Sequence, residues 1–89
     1  MCRNIRILHH FEPPTTPEEI HAAALQFVRK VSGSTRPSQA NEAAFDAAVE
    51  AITKVTTELL DQLEARGEPR TREGEIAKAK ARWERRRIV

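Results

Sequence analysis

Residues 16–33 carry a complete set of helix signals, and these constrain the fold more than any other stretch. Thr16-Pro17-Glu18-Glu19 places a capping hydroxyl, a proline at the first helical position and a glutamate at N3. The Thr hydroxyl and Glu carboxylate can then satisfy orphan backbone amides reciprocally. Ile20, Ala23, Ala24, Phe27, Val28 and Val31 follow on one stripe at the helical period. Arg29 and Lys30 occupy the last turn, where cations oppose the negative end of the dipole, and Gly33 supplies a left-handed C-cap. The reading is a helix over 17–32 with a single apolar face that must be buried against another element.

A second helix supplies that element. After the loop at 34–37, Ser38 is positioned to cap a long helix over 39–66, with Gly67 just past its end. Its stripe contains Phe45, Ala48, Val49, Ile52, Val55, Thr56, Leu59, Leu60 and Leu63. Phe45, Ile52 and Leu59 repeat at seven, which suits packing against a neighbouring helix. The expected contacts are Phe27 and Val31 against Phe45, Ile52 and Leu59. Thr71 is placed to cap a third helix to about Arg86, and Gly74 weakens its first turn. Ile76 and Trp83 share one side of it and would dock it. Lys78, Arg82, Arg85 and Arg86 share the other side. Ahead of all three, Glu12-Pro13-Pro14 stops regular structure, and residues 1–14 read as an extended arm. The fold class predicted is all-α, a small three-helix bundle with a short extended N-terminal arm. It is one domain over 1–89: an arm at 1–14, a two-helix core at 17–66 and a basic C-terminal helix or tail at 71–89.

Large apolar side chains are few for that much helical surface, so self-association as a homodimer is expected. The formal net charge of +2 is uneven. Residues 1–69 hold seven Lys/Arg and ten Asp/Glu, −3, whereas residues 70–89 hold eight and three, +5. The apolar run Ile5-Ile7-Leu8 is too short for a secretory signal, and no stretch approaches a membrane span. A single cysteine, Cys2, fits a reducing, cytoplasmic location.

The sequence offers little catalytic chemistry. Cys2 beside Arg3 and Arg6 could be a reactive or ligating thiol, and with His9 and His10 it could contribute to a metal site. Paired zinc-ligand spacings are missing, however, and adjacent histidines on an extended segment point apart. His21 lies beside the first helix's stripe. No Gly-rich phosphate loop, Gly-x-Ser-x-Gly or Cys-x-x-Cys is present, and Glu42, Asp46 and Glu50 read as a solvated helix face. An enzyme is therefore not expected, and no cofactor is. Arg29, Lys30, Lys78, Arg82, Arg85 and Arg86 are candidate contacts for nucleic acid or an acidic partner.

The strings Met1-Cys2-Arg3-Asn4-Ile5-Arg6, Phe11-Glu12-Pro13-Pro14, Ala23-Ala24-Leu25-Gln26-Phe27-Val28-Arg29-Lys30-Val31-Ser32-Gly33 and Pro37-Ser38-Gln39-Ala40-Asn41-Glu42-Ala43-Ala44-Phe45 carry a resemblance. Over about residues 1–65 the chain resembles a family of small uncharacterised bacterial proteins that begin Met-Cys-Arg-Asn-Ile. The resemblance implies a bacterial cytosolic origin and no particular activity. The expected function is a protein-interaction or regulatory module with an unknown protein partner. The alternative is a nucleic-acid-binding module using the basic C-terminal helix, and a thiol or metal site at Cys2 is a minor third.

Overall fold

The structure, a computed structural model, describes residues 6–88, with side chains through Arg86. The expectations for Cys2 and its neighbours lie outside the described residues. Helix α1 spans Pro17–Ser32 and α2 spans Glu42–Gln62, preceded by a 3₁₀ turn at Gln39–Asn41. Helix α3 spans Arg72–Ile88. The fold is all-α, with no strand among the described residues; one isolated parallel bridge joins Phe11 to Arg70.

Helix α1 forms as its signals require. The Thr16 hydroxyl accepts from the Glu19 amide at 3.1 Å, and the Glu19 carboxylate accepts from the Thr16 amide at 2.8 Å. Gly33 sits at φ 70, where its N–H and that of Ser34 both donate to the Arg29 carbonyl. An L side chain is strained at that φ, so glycine is the natural residue there. Thr16→Ala should cost about 1 kcal/mol of unfolding free energy, read by urea titration, because an N-cap hydroxyl is lost.

Helix α2 is shorter than 39–66 at both ends. Ser38 makes no capping side-chain bond and instead precedes the 3₁₀ turn. The C-terminal end comes at Gln62, where Leu63 turns extended at ψ 134 while its N–H still donates to Leu59. An early end is needed because the chain must run back to bring Arg70 beside Phe11. At α3 the Thr71 hydroxyl accepts from the Gly74 amide at 2.9 Å. A Cβ at Gly74 would lie 2.8 Å from that hydroxyl, so the glycine read as a weakness leaves room for the cap.

The core is a thin seam between α1 and α2. Ile20, Ala24 and Val28 of α1 and Phe45 and Val49 of α2 are buried, with Leu25, Ala48 and Ile52 half-buried around them. The expected contact set is therefore only partly realised. Phe45 is buried and Ile52 is at the edge, but Phe27, Val31 and Leu59 are 43%, 70% and 52% exposed. The physical reason is geometric. An apolar helical stripe is at least about 100° wide, and a single neighbour covers only its inner rows. The i, i+4, i+8 row Ile20-Ala24-Val28 faces α2, and the adjoining row through Phe27 and Val31 stays open.

Among the described residues the backbone of α3 does not come close to that of α1 or α2, and α3 reaches α1 through the Arg72–Glu19 pair. Ile76 and Trp83, expected to dock it, are 60% and 53% exposed. The molecule is flat and open, 43 × 36 × 16 Å. Its radius of gyration is 15.5 Å, against about 12 Å expected for a compact chain of this length.

Candidate functional site

Two features concentrate the unexplained surface and chemistry: a polar clasp joining the arm to α3, and an open apolar groove on the α1–α2 hairpin. The clasp begins at the bridge. The Arg70 amide donates to the His10 carbonyl at 2.7 Å, and the Glu12 amide to the Arg70 carbonyl at 2.9 Å. The Arg70 guanidinium reaches the His9 carbonyl at 2.7 Å, and His10 Nε2 lies 3.0 Å from the Gly67 carbonyl. His10 and Gly67 both hold positive φ, 62 and 74. The histidine thus closes the arm's turn against the linker.

Arg72 completes it. Its Nε donates to Glu19 Oε2 at 2.9 Å and its Nη2 to Oε1 at 2.7 Å, a bidentate pair that matches the planar fork of guanidinium to carboxylate. The remaining donors go to the Pro13 and Pro14 carbonyls at 2.8 and 3.2 Å. The guanidinium also stacks 5.3 Å from the centroid of Phe11. Glu19 therefore serves twice, capping α1 and holding α3. The Arg72 hydrogen bonds, then the Thr16 amide, pull its carboxyl down to about 2 from 4.5. The same pairing raises the Arg72 pKa. No sequence signal announces this contact, since the partners are 53 residues apart and Glu19 is already explained by the helix start.

The groove lies between the arm, α1 and α2. Arg6, Leu8, Ala23, Phe27, Ile52 and Leu60 are among its walls, around a volume of about 260 Å³. Val31 of α1 and Val55 and Leu59 of α2 are also exposed on the hairpin, outside the groove's walls.

The sequence-proposed contacts are dispersed. Arg29 donates to the Thr35 carbonyl at 3.2 Å and so closes its own loop, while Lys30 is exposed. Both lie in the last turn of α1, roughly 15 Å along the axis from Glu19, where α3 is attached. Lys78 pairs with Glu75 at 3.3 Å. Arg82, Arg85 and Arg86 are exposed on α3. The His9 and His10 rings are 5.9 Å apart and tilted 40°. Among the described residues no three His, Cys, Asp or Glu side chains are grouped to hold a metal, and no helix is long and apolar enough to cross a membrane.

These features define a small all-α protein in which a helical hairpin is tied through its arm to a third, separate helix. The chain belongs to the family of uncharacterized conserved proteins designated DUF2277, whose model matches residues 1–78. The match runs past the expected boundary near 65 and takes in every clasp residue from His9 to Arg72. No curated protein and no solved structure matches the chain.

Proposed function

We propose that this is a protein-interaction or regulatory module, bacterial and cytoplasmic, that works through the apolar face of its α1–α2 hairpin. The observation supporting this is the exposure of Phe27, which lines an open groove, and of Val31, Val55 and Leu59 on the same hairpin, whose core is only one seam thick. Large apolar side chains exposed beside a groove mark contact sites on proteins. The reading is tested with a photo-crosslinking amino acid at position 31 or 55 in growing cells, and at position 58 as a control. Discrete adducts should form from 31 and 55 and not from 58. Adducts from neither, or equally from all three, would overturn it.

Exposure of Arg82, Arg85 and Arg86 favours a second reading, nucleic-acid binding by α3. Binding of that kind weakens steeply with salt because each neutralised phosphate releases condensed counterion. Fluorescence anisotropy with mixed DNA and RNA is expected to show no such binding near 0.1 M salt, since α2 presents acidic side chains on the same small molecule and Arg29 is engaged with its own loop.

A further inference from the structure

We infer that the groove on the hairpin is the seat of the chain's own first residues, 1–5, which lie outside the described residues and would continue the arm along α2. The inference goes beyond the interaction reading, because positions 31 and 55, which test that reading, lie outside the groove's walls. Three observations carry it.

The first is continuity. Arg6, the first described residue, is itself a wall of the groove, and Leu8 is another. Ile5 is bonded to Arg6, so the preceding chain sets out from the groove's rim. The family model begins at residue 1, which makes this segment part of the same family unit as the hairpin.

The second is reach. The Leu8 carbonyl accepts from the Thr15 hydroxyl, which anchors the arm at the N-terminal end of α1. On α2 the groove's walls are Ile52, Thr56 and Leu60. The first and last of these stand about 12 Å apart along the helix axis. From Leu8 to Arg6 an extended chain covers about 7 Å, roughly half of that length. Five further residues supply about 17 Å, enough to run the rest of the groove.

The third is register. Two residues of extended chain and four of helix advance by nearly the same distance, about 6.6 and 6.0 Å. The arm can therefore keep step with Leu60, Thr56 and Ile52 by turning Leu8, Arg6 and then Asn4 towards the hairpin. Ile7, between the two described wall residues, is 51% exposed, as an outward position requires. Arg3 and Ile5 fall on that outer side by the same period. Thr56 is half-buried, and its hydroxyl, unlike those of Thr53 and Thr57, bonds to no helix carbonyl among the described residues. The Asn4 amide supplies that hydroxyl with a partner. Seating the segment adds a second layer to a core one seam thick.

Disulfide trapping on the full chain tests the seat. Cys2 is the only cysteine, so Cys2→Ser with Asn4→Cys leaves one thiol, on the segment. A second is added by Ile52→Cys, on the groove, or by Glu58→Cys, exposed on another face of α2. A disulfide needs Cα atoms within about 7 Å, so the 4–52 bridge should close within one chain at least about tenfold faster than the 4–58 bridge. Mass spectrometry and a non-reducing gel separate a loop within one chain from a bridge between two, and far-UV circular dichroism confirms that the helices persist. Equal rates at the two positions, including no closure at either, would overturn the inference. So would a 4–52 bridge formed only between chains, which would give the groove to a second copy. Deleting residues 2–5 from the otherwise native chain provides a check without cysteine variants. It should raise the fluorescence of added anilinonaphthalene sulfonate several-fold by baring the groove, and unchanged fluorescence would overturn the seat as well. A closed 4–52 loop with no cellular adducts from 31 or 55 would defeat the interaction reading alone.

Discussion

Phe45→Ala should remove most of the chain's stability, whereas Phe27→Ala, the same chemical change, should remove little. Phe45 is 9% exposed and packs with Ala24, Val28 and Val49, so truncation opens a cavity in the only seam among the described residues. Such a deletion costs about 3–5 kcal/mol. A chain of this size holds roughly 4–13 kcal/mol in all, and so thin a core places this one near the low end. Phe45→Ala is therefore expected to be largely unfolded at 37 °C. Phe27 is 43% exposed, and its truncation should cost less than about 1 kcal/mol. Urea denaturation followed by circular dichroism decides it, at a dilution where association is lost. Equal losses from the two substitutions would mean that both rings are buried and that α1 is rotated from the orientation seen here.

That contrast shows what the sequence can and cannot disclose. Both phenylalanines lie on apolar stripes of correct period, and helix identity follows from such periods and from caps. The Thr16–Glu19 box and Gly33 bound α1 correctly because capping is a contact over three or four residues. Thr71 announced α3 in the same way. Which row of a stripe turns inward depends on how many neighbours a helix has, and that is a property of the whole fold. Phe27, Val31 and Leu59 were therefore indistinguishable from Phe45 in the sequence. The end of α2 was misplaced by the same logic. Gly67 carries a strong stop signal, but the backbone had already left the helix at Leu63 to reach the arm. Of the site, the basic face of α3 was legible as a charge run. The clasp was not, because Arg72 lay inside that run and Glu19 inside a capping box, and neither pattern shows that the two would meet.

The clasp should be visible as acid sensitivity. Glu19 titrates at about 2 in the folded chain against 4.5 without its partners, held down first by the Arg72 hydrogen bonds. A carboxyl depressed on folding contributes stability that is complete above about 4.5, declines as pH falls through that window and is gone below about 2. The full linkage value would be near 3 kcal/mol, but both side chains are about a third exposed, and solvent screening reduces it to about 1 kcal/mol. Glu19→Gln isolates this contribution, because glutamine at N3 still completes the capping box while the charge facing Arg72 is lost. At pH 7 the variant should be less stable than the wild type by about that amount, and the two should converge as pH is lowered towards 2. Arg72→Gln should cost more than Glu19→Gln, because it also loses the bonds to the Pro13 and Pro14 carbonyls and the contact with Phe11, and the double variant should cost no more than Arg72→Gln alone, since the Glu19 pair is already gone. Parallel stability profiles for wild type and Glu19→Gln across pH 2–5 would mean that the carboxylate acts only as a cap, and that α3 is held by the Phe11–Arg70 bridge and the proline carbonyls instead.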